Sequence, residues 1–144
     1  METTATIPRS QPGALGAPIS KGRLWTGRIL SALPALFLVV DAIGKLVKPE
    51  VVVDGTLELG YPESVLLGLG ITLLACTILY MIPRTAVFGA ILLTGYLGGA
   101  IATHVRVGSP LFSHTLFPIY VAVLLWGGLY LRDERLRALI PLRR

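Results

Sequence analysis

The sequence has few charges and a single cysteine, and each shortage argues against a class of protein. Charged residues make up 15% of its 144 residues, whereas soluble domains carry roughly 25%. The cysteine, Cys76, lies inside an apolar run, so the chain has no intramolecular disulfide and no Cys-x-x-Cys redox pair. A nucleophile paired with a base and a phosphate-binding glycine loop are also missing. An enzyme with its own catalytic centre is therefore the least favoured class.

The excess of basic residues does not indicate a nucleic-acid-binding protein. The chain has 13 Lys and Arg against eight Asp and Glu, and its pI is near 9.8. These bases flank apolar segments and form no stripe with interleaved aromatic residues, which nucleic-acid recognition would need. Bases beside apolar segments are typical of proteins oriented in a membrane. The predicted partner is therefore the lipid bilayer, and no nucleic acid is predicted.

Four long apolar segments make up most of the chain. Hydrophobic residues account for 53% of the sequence, and the mean hydropathy is +0.73. Each segment is close to the roughly 20 residues that cross about 30 Å of hydrocarbon as a helix. Because lipid offers no partners to backbone amides, helices are the structure expected there. We predict an all-α fold, an integral membrane four-helix bundle with helices at residues 24–45, 64–82, 85–104 and 115–131.

The remaining segments are predicted to be tails and connections. Residues 1–23 are rich in Thr, Pro, Gly and Ser, a composition typical of disorder. Residues 133–144 are predicted to be a basic tail. A short helix is predicted in the long first connection, before Gly60-Tyr61-Pro62, and a tight turn at Ile82-Pro83-Arg84 is predicted to pair the second and third helices.

The distribution of charge predicts the orientation. Ten of the 13 bases lie in the two tails, at the start of the first helix or in the connection between the second and third helices. Five of the eight acids lie on the opposite side. The positive-inside rule therefore places both termini in the cytoplasm.

Polar residues from three helices are predicted to meet in the outer leaflet. Two of them end the first helix, two end the third and one opens the fourth. Charged groups at membrane depth are unfavourable by about 2.5–3.5 kcal/mol on insertion scales, so they tend to face the interior and to serve a function. Candidate ligands are a quinone carbonyl, a carboxylate and a phospholipid headgroup. With one tyrosine as a lining residue, the candidate ligand-binding residues are Asp41, Lys45, Tyr96, His104, Arg106 and His114.

The same residues also have a purely structural interpretation. Asp41 and Lys45 are four apart, the spacing of an ion pair on a helix surface. His104, Arg106 and His114 would then cap helices or extend to the interface. The two histidines lack a diagnostic metal spacing, so no metal site is predicted.

Small and aromatic residues give two predictions about packing. Gly95, Gly99 and Thr103 are four apart, a pattern that lets another helix approach closely, either within the bundle or between protomers, and Gly127 and Gly128 are expected to do the same. Tyrosines and tryptophans near segment ends are expected to be interfacial anchors. These anchors are Trp25, Tyr61, Tyr80, Trp126 and Tyr130.

Several stretches of the sequence resemble a known family. The most specific is Leu92–Arg106, which reads Leu-Leu-Thr-Gly-Tyr-Leu-Gly-Gly-Ala-Ile-Ala-Thr-His-Val-Arg, and the others are Gly44-Lys45-Leu46, Tyr61-Pro62, Ile82–Ala86 and Leu124–Asp133. Together they resemble the DoxX-like family of small bacterial membrane proteins, over roughly residues 28–142. The resemblance implies a four-helix fold in the bacterial inner membrane. It also implies an association with redox complexes, since the family takes its name from a subunit linked to quinone-coupled sulfur oxidation.

Two functions follow as hypotheses. The first is an accessory protein or subunit of a membrane complex, with redox-complex subunits or a second copy as partners, that binds a small molecule or lipid at the polar cluster. A quinone is one candidate cofactor. The second is a small transporter or exporter, which would need an ionisable group near the midplane. Asp41 lies too far toward one end of its helix to favour the second hypothesis.

Overall fold

The computed structural model describes residues 20–139, and the regular structure in that part is helical throughout. This confirms the predicted all-α class. A single π-helical turn, Leu111–Thr115, precedes the fifth α-helix. The α-helices are α1 (Lys21–Val47), α2 (Glu50–Glu58), α3 (Val65–Met81), α4 (Ala86–Val107), α5 (Phe117–Arg132) and α6 (Glu134–Leu139).

Three helical stretches are long and apolar enough to cross a membrane. They are α1, α4 and the 22 residues from the π-helical turn through α5. The remaining apolar helix, α3, has 17 residues. Large apolar side chains also cover the outside of the protein, as Leu36 and Val40 illustrate, which are 65% and 61% exposed. Such surfaces are unfavourable in water but suit lipid, so the described part has the character of a membrane protein.

The helix ends differ from the predicted boundaries where caps extend them. Ser20 accepts a hydrogen bond from the backbone N–H of Arg23 at 3.4 Å, so α1 begins at Lys21 and includes residues predicted to be in the tail. The predicted disorder of residues 1–19 lies outside the described residues. At the other end, Asp133 accepts backbone N–H groups and starts α6 inside the predicted basic tail. Residues 140–144 of that tail also lie outside the described part.

Four helices pack in a ring. Helix α1 contacts α3 and α5, and α4 contacts the same two helices from the other side. The connection at Ile82-Pro83-Arg84 is short, and α3 packs against α4, as predicted. Leu38, Leu73, Leu93, Leu125 and Leu129 fill the interior, each at most 2% exposed.

Glycines bring the helices together at one end of the ring. A Cβ on Gly128 would lie 2.5 Å from Ser31 Oγ, and one on Gly27 would lie 3.0 Å from the Gly128 carbonyl oxygen. On the other side, a Cβ on Gly89 would lie 2.6 Å from the Cα of Tyr80. We call this region, where α1 and α4 begin and α3 and α5 end, the packed end. Gly128 therefore plays its predicted role, whereas Gly127 has open space around its Cα.

Two predictions about packing have different outcomes. In the described part of the chain, a Cβ on Gly95 or Gly99 would meet no atom within 4 Å, so these glycines do not pack against a helix of the bundle, and packing against a second copy stays a prediction. The prediction for Tyr80 is wrong. Tyr80 is not an interfacial anchor but an interior residue, only 1% exposed. Its hydroxyl donates a hydrogen bond of 2.8 Å to the carbonyl oxygen of Leu125. In lipid such interhelical hydrogen bonds and close backbone contacts replace the hydrophobic effect as the forces that hold helices together.

Candidate functional site

The opposite end of the ring contains a cavity of about 620 Å³. We call it the cavity end. It is formed where α1 and α4 end and where α3 and α5 begin, with α2 and the π-helical turn beside it. Its lining comprises Phe37, Leu38, Asp41, Lys45, Thr56, Leu59, Tyr61, Val65, Leu69, Gly95, Tyr96, Leu97, Gly99, Ala100, Thr103, His104, Ser113, His114, Phe117, Pro118 and Val121. The volume falls in the range of small-molecule sites, roughly 300–1,000 Å³.

An ion pair lies on the α1 wall of the cavity. Lys45 Nζ donates to Asp41 Oδ1 at 2.5 Å across one helical turn. The Lys45 side chain is 17% exposed and the Asp41 side chain 36% exposed. Such a pair contributes only a few tenths of a kcal/mol on an open helix surface, but both groups here also face a common cavity. The pair therefore offers a ligand both a cationic donor and an anionic acceptor.

Two histidines lie on the facing wall. The rings of His104 on α4 and His114 in the π-helical turn are 5.8 Å apart, edge to face. His104 Nδ1 is 3.0 Å from the Ser109 hydroxyl, and His114 Nδ1 is 2.8 Å from the Ser113 hydroxyl. Within residues 20–139 these are the hydrogen bonds that the two rings make, so each Nε2 remains for a ligand. The serines fix the ring orientations, which favours binding by reducing the ordering needed.

The turn after α2 covers the cavity and is held by α4. Gly60 adopts a positive φ of 78°, which lets the chain reverse between α2 and α3. Tyr61 in this turn lies 3.0 Å, hydroxyl to hydroxyl, from Thr103. Arg106 donates a hydrogen bond of 2.7 Å to the Leu59 carbonyl oxygen, and its guanidinium carbon is 5.6 Å from the centre of the Tyr61 ring. A third link joins Lys48 to Glu63 at 3.1 Å.

The rest of the lining is mostly apolar. Phe37 and Phe117 meet edge to face, with ring centres 5.2 Å apart. Gly95 and Gly99 contribute no side chain, and Val121 closes the wall from α5. A cavity with apolar walls and a few convergent polar groups suits a molecule that has an apolar body and a polar head.

Five of the six residues selected from the sequence line this cavity, and one does not. Asp41, Lys45, Tyr96, His104 and His114 all belong to the lining. The exception is Arg106, which lies in the last turn of α4, a helix that continues three residues beyond its predicted end. Its side chain reaches the turn after α2 instead of the cavity. Arg106 is therefore a positioning residue for the covering turn.

Other lining residues were missed by the sequence reasoning. Tyr61 was assigned to the interface, Thr103 was assigned to helix packing, and Phe37 carried no signal. Tyr61 follows a glycine in a connection, which marks a turn but not the element that it covers. Within residues 20–139, no three His, Cys, Asp or Glu side chains come close enough to hold a metal ion. The polar side chains that line the cavity supply hydrogen-bond donors, hydrogen-bond acceptors and charges of both signs.

A family model describes most of the chain. The model of the DoxX-like family matches residues 29–128. The chain belongs to the DoxX-like family. No curated protein and no solved structure matches it. The matched region runs from the third turn of α1 to Gly128, so this DoxX-like segment contains the whole cavity lining.

Proposed function

We propose that this DoxX-like protein is an accessory protein or subunit of a membrane complex that binds a small amphipathic molecule in the cavity. The observation that carries the proposal is the convergence of Asp41, Lys45, His104 and His114 on one cavity with apolar walls. These residues come from three elements that are far apart in sequence, so their proximity is a property of the fold. Charged side chains at such depth face a protein interior when they serve a function.

A quinone is a chemically suitable ligand. Its head has two carbonyl oxygens, which accept hydrogen bonds from an ammonium group or an imidazole N–H. Lys45 is such a donor, and each histidine Nε2 on the facing wall is one when the serine hydroxyl donates to the Nδ1 of that ring. Phe37 and Phe117 would pack against the ring or the apolar tail. A lipid headgroup with phosphate or carboxylate oxygens uses the same donors, so the ligand class is defined by oxygen acceptors on an apolar body.

The proposal includes a topology of four membrane crossings with both termini in the cytoplasm. Helix α3, with its 17 apolar residues, would cross where the bilayer thins slightly or where flanking groups adapt. The arginine excess at the packed end supports its cytoplasmic location. The cavity would then open toward the outer leaflet of the bacterial inner membrane. A fluorescent reporter that matures only in the cytoplasm, fused after residue 144, should be active, and its inactivity would contradict this orientation.

The ligand is tested by filling the cavity. Gly99→Leu should block it, since Gly99 lines the cavity and has no neighbouring atom within 4 Å of a Cβ position. Gly98→Leu is the matched control, because Gly98 also has open space but lines a separate groove between α4 and α5. The full chain and both variants are purified in mild detergent, and organic extracts are compared by mass spectrometry.

The expected result is a quinone or lipid that co-purifies with the wild-type protein and with Gly98→Leu but is lost at least tenfold in Gly99→Leu. His104→Ala should lower retention as well, whereas Val105→Ala, at an exposed neighbouring position, should not. Equal extracts from the wild type and Gly99→Leu would refute the binding proposal. A ligand lost in Gly99→Leu that lacks oxygen acceptors would refute its chemical part.

The transporter hypothesis requires a site that can open to either side of the membrane, because a carrier opens its site alternately to both sides. At the packed end, Gly89 and Gly128 lie against the backbones of α3 and α1, so an opening on that side would have to break these contacts. A proton flux that depends on substrate and disappears in Asp41→Asn would favour the transporter over the accessory protein.

A further inference from the structure

A second pocket, of about 430 Å³, lies at the packed end. It is formed where α1 and α4 begin and where α5 passes into α6. Leu24 and Pro83 contribute to its apolar part. Arg28, Arg132 and Arg135 bring three guanidinium groups to the same pocket. The combination of an apolar floor and three cations does not belong to the cavity end and plays no part in the function proposed above.

These arginines form no ion pairs within residues 20–139, where the ion pairs are Asp41–Lys45, Lys48–Glu63 and Glu134–Arg137. The two acids that line the pocket are engaged elsewhere. Asp133 accepts the backbone N–H groups of Arg135 and Leu136 at 2.9 and 3.2 Å, and Glu134 lies 3.9 Å from Arg137. With three arginines and two acids in its lining, the pocket has a net charge of +1, and its three guanidinium groups form no ion pair with those two carboxylates.

Aromatic rings hold two of the guanidinium groups in position. The Arg28 guanidinium carbon lies 5.8 Å from the centre of the Trp25 ring, and that of Arg132 lies 5.3 Å from the centre of the Tyr80 ring. Arg132 also donates a hydrogen bond of 3.3 Å to the Tyr80 carbonyl oxygen. Its Nε atom is buried and has no hydrogen-bond partner in the described part of the chain. Stacking of this kind pre-organises the planar fork that recognises oxyanions.

The position of the pocket along the helices indicates the source of the oxyanion. It lies at the ends of three apolar helical stretches that are long enough to cross a membrane, which is the level of lipid headgroups. Arginine pairs with phosphate through two parallel N–H···O hydrogen bonds. We infer that the pocket binds a phosphate ester, and that this ester is the headgroup of an anionic phospholipid whose apolar part lies along Leu24 and Pro83.

The inference is tested by lipid titration of the full chain in mild detergent. Phosphatidylglycerol and phosphatidylcholine with identical acyl chains are added separately, and bound lipid is counted by native mass spectrometry. We expect phosphatidylglycerol to bind at least tenfold more tightly, because phosphatidylcholine carries no net charge. The double variant Arg28→Gln/Arg135→Gln should lose this preference, since each charge-assisted hydrogen bond to phosphate contributes about tenfold in affinity. Both residues are exposed, so the substitutions should leave the thermal unfolding temperature unchanged.

The matched control is Arg23→Gln/Arg84→Gln, which removes the same charge at the same end but outside the pocket lining. It should keep phosphatidylglycerol affinity within twofold of the wild type. Equal binding of the two lipids by the wild type would overturn the inference, and so would an equal loss in both double variants, which would indicate a general charge effect. Glycerol 3-phosphate is added as a competitor to separate the sources. Weak competition with phosphatidylglycerol would support the lipid headgroup. Strong competition that disappears in Arg28→Gln/Arg135→Gln would overturn the lipid as the source and assign the pocket to a soluble phosphate ester.

Discussion

At the packed end, Gly89 and Gly128 lie against the backbone of a neighbouring helix, whereas at the cavity end Gly95 and Gly99 lie beside open space. All four are helical glycines in apolar segments. Their different surroundings follow from what faces them. Tyr80 and Ser31 lie opposite the first pair, while the second pair faces a cavity that also receives charged and imidazole side chains.

This difference shows that a pattern of small residues makes close approach of helices possible but does not determine whether the helices pack there or leave a cavity. In lipid, helices associate through close packing and hydrogen bonds, so they close wherever the facing surface is complementary. Polar groups such as Asp41, Lys45 and His104 line the space that remains open at the cavity end. One end of the ring thus serves assembly, and we expect the other to serve binding.

The largest expected effect comes from Gly89→Ala. A Cβ at this position would overlap the backbone of Tyr80 and lie 2.7 Å from the Leu79 carbonyl carbon, so α3 and α4 must separate. We expect a loss of about 3 kcal/mol or more in the free energy of unfolding, measured by thermal unfolding in detergent. Gly95→Ala on the same helix is the control. It should be neutral or slightly stabilising, because alanine favours the helix by about 0.5–1 kcal/mol. Equal stability of the two variants would remove the distinction between the ends.

A smaller effect is expected from Tyr80→Phe. The substitution removes the hydrogen bond of 2.8 Å to Leu125 and leaves a buried carbonyl oxygen without that donor. The unfolding free energy should fall by about 1–2 kcal/mol. Tyr96→Phe at the cavity end is the matched substitution, and it should change stability by less than about 0.5 kcal/mol, since the Tyr96 hydroxyl makes no hydrogen bond to the described residues. A larger loss in Tyr96→Phe than in Tyr80→Phe would contradict the assignment of stability to the packed end.

Hydropathy and charge were enough to predict the helical class and the approximate helix positions. Apolar runs are read directly along the chain, and bilayer physics leaves one secondary structure for them. The meeting of Asp41, Lys45, His104 and His114 was also predictable, since alternating helix directions bring the relevant ends together. That prediction depends on the order of the segments along the chain and not on the packing of their side chains.

The rest depended on information that one sequence does not carry. The contact of Arg106 with Leu59 joins residues 47 positions apart through a turn of unpredicted shape. The burial of Tyr80 required knowing which face of α3 points into the ring toward α5, and α3 is apolar on all sides. The fourth segment begins earlier than predicted, with the π-helical turn at Leu111–Thr115. This turn directly follows Ser109-Pro110, a pair of residues typical of a loop.

Arg106→Gln should affect the cavity end without disturbing the packed end. It removes the hydrogen bond of 2.7 Å to Leu59 and the contact with the Tyr61 ring, which together contribute about 1 kcal/mol at an exposed site. We expect faster amide hydrogen exchange in residues 59–63 by about fivefold, with unchanged exchange around Tyr80. Arg84→Gln, in an exposed turn at the packed end, is the control and should leave residues 59–63 as in the wild type. Unchanged exchange in Arg106→Gln would show that the turn is held by its other contacts.

The smallest effect on stability is expected from Asp41→Asn, although this residue lies at the centre of the proposed site. The carboxylate is 36% exposed and pairs with Lys45 across one turn, an interaction that contributes a few tenths of a kcal/mol. Unfolding should therefore change by less than about 0.5 kcal/mol, while retention of the cavity ligand should fall several-fold because Lys45 loses its positioning partner. Glu58→Gln provides a control at an exposed acid outside the cavity lining, and it should change neither quantity. A large loss of stability with unchanged ligand retention would show that the Asp41–Lys45 pair stabilises the fold and does not bind the ligand. The cavity end would then contribute to stability, as the packed end does.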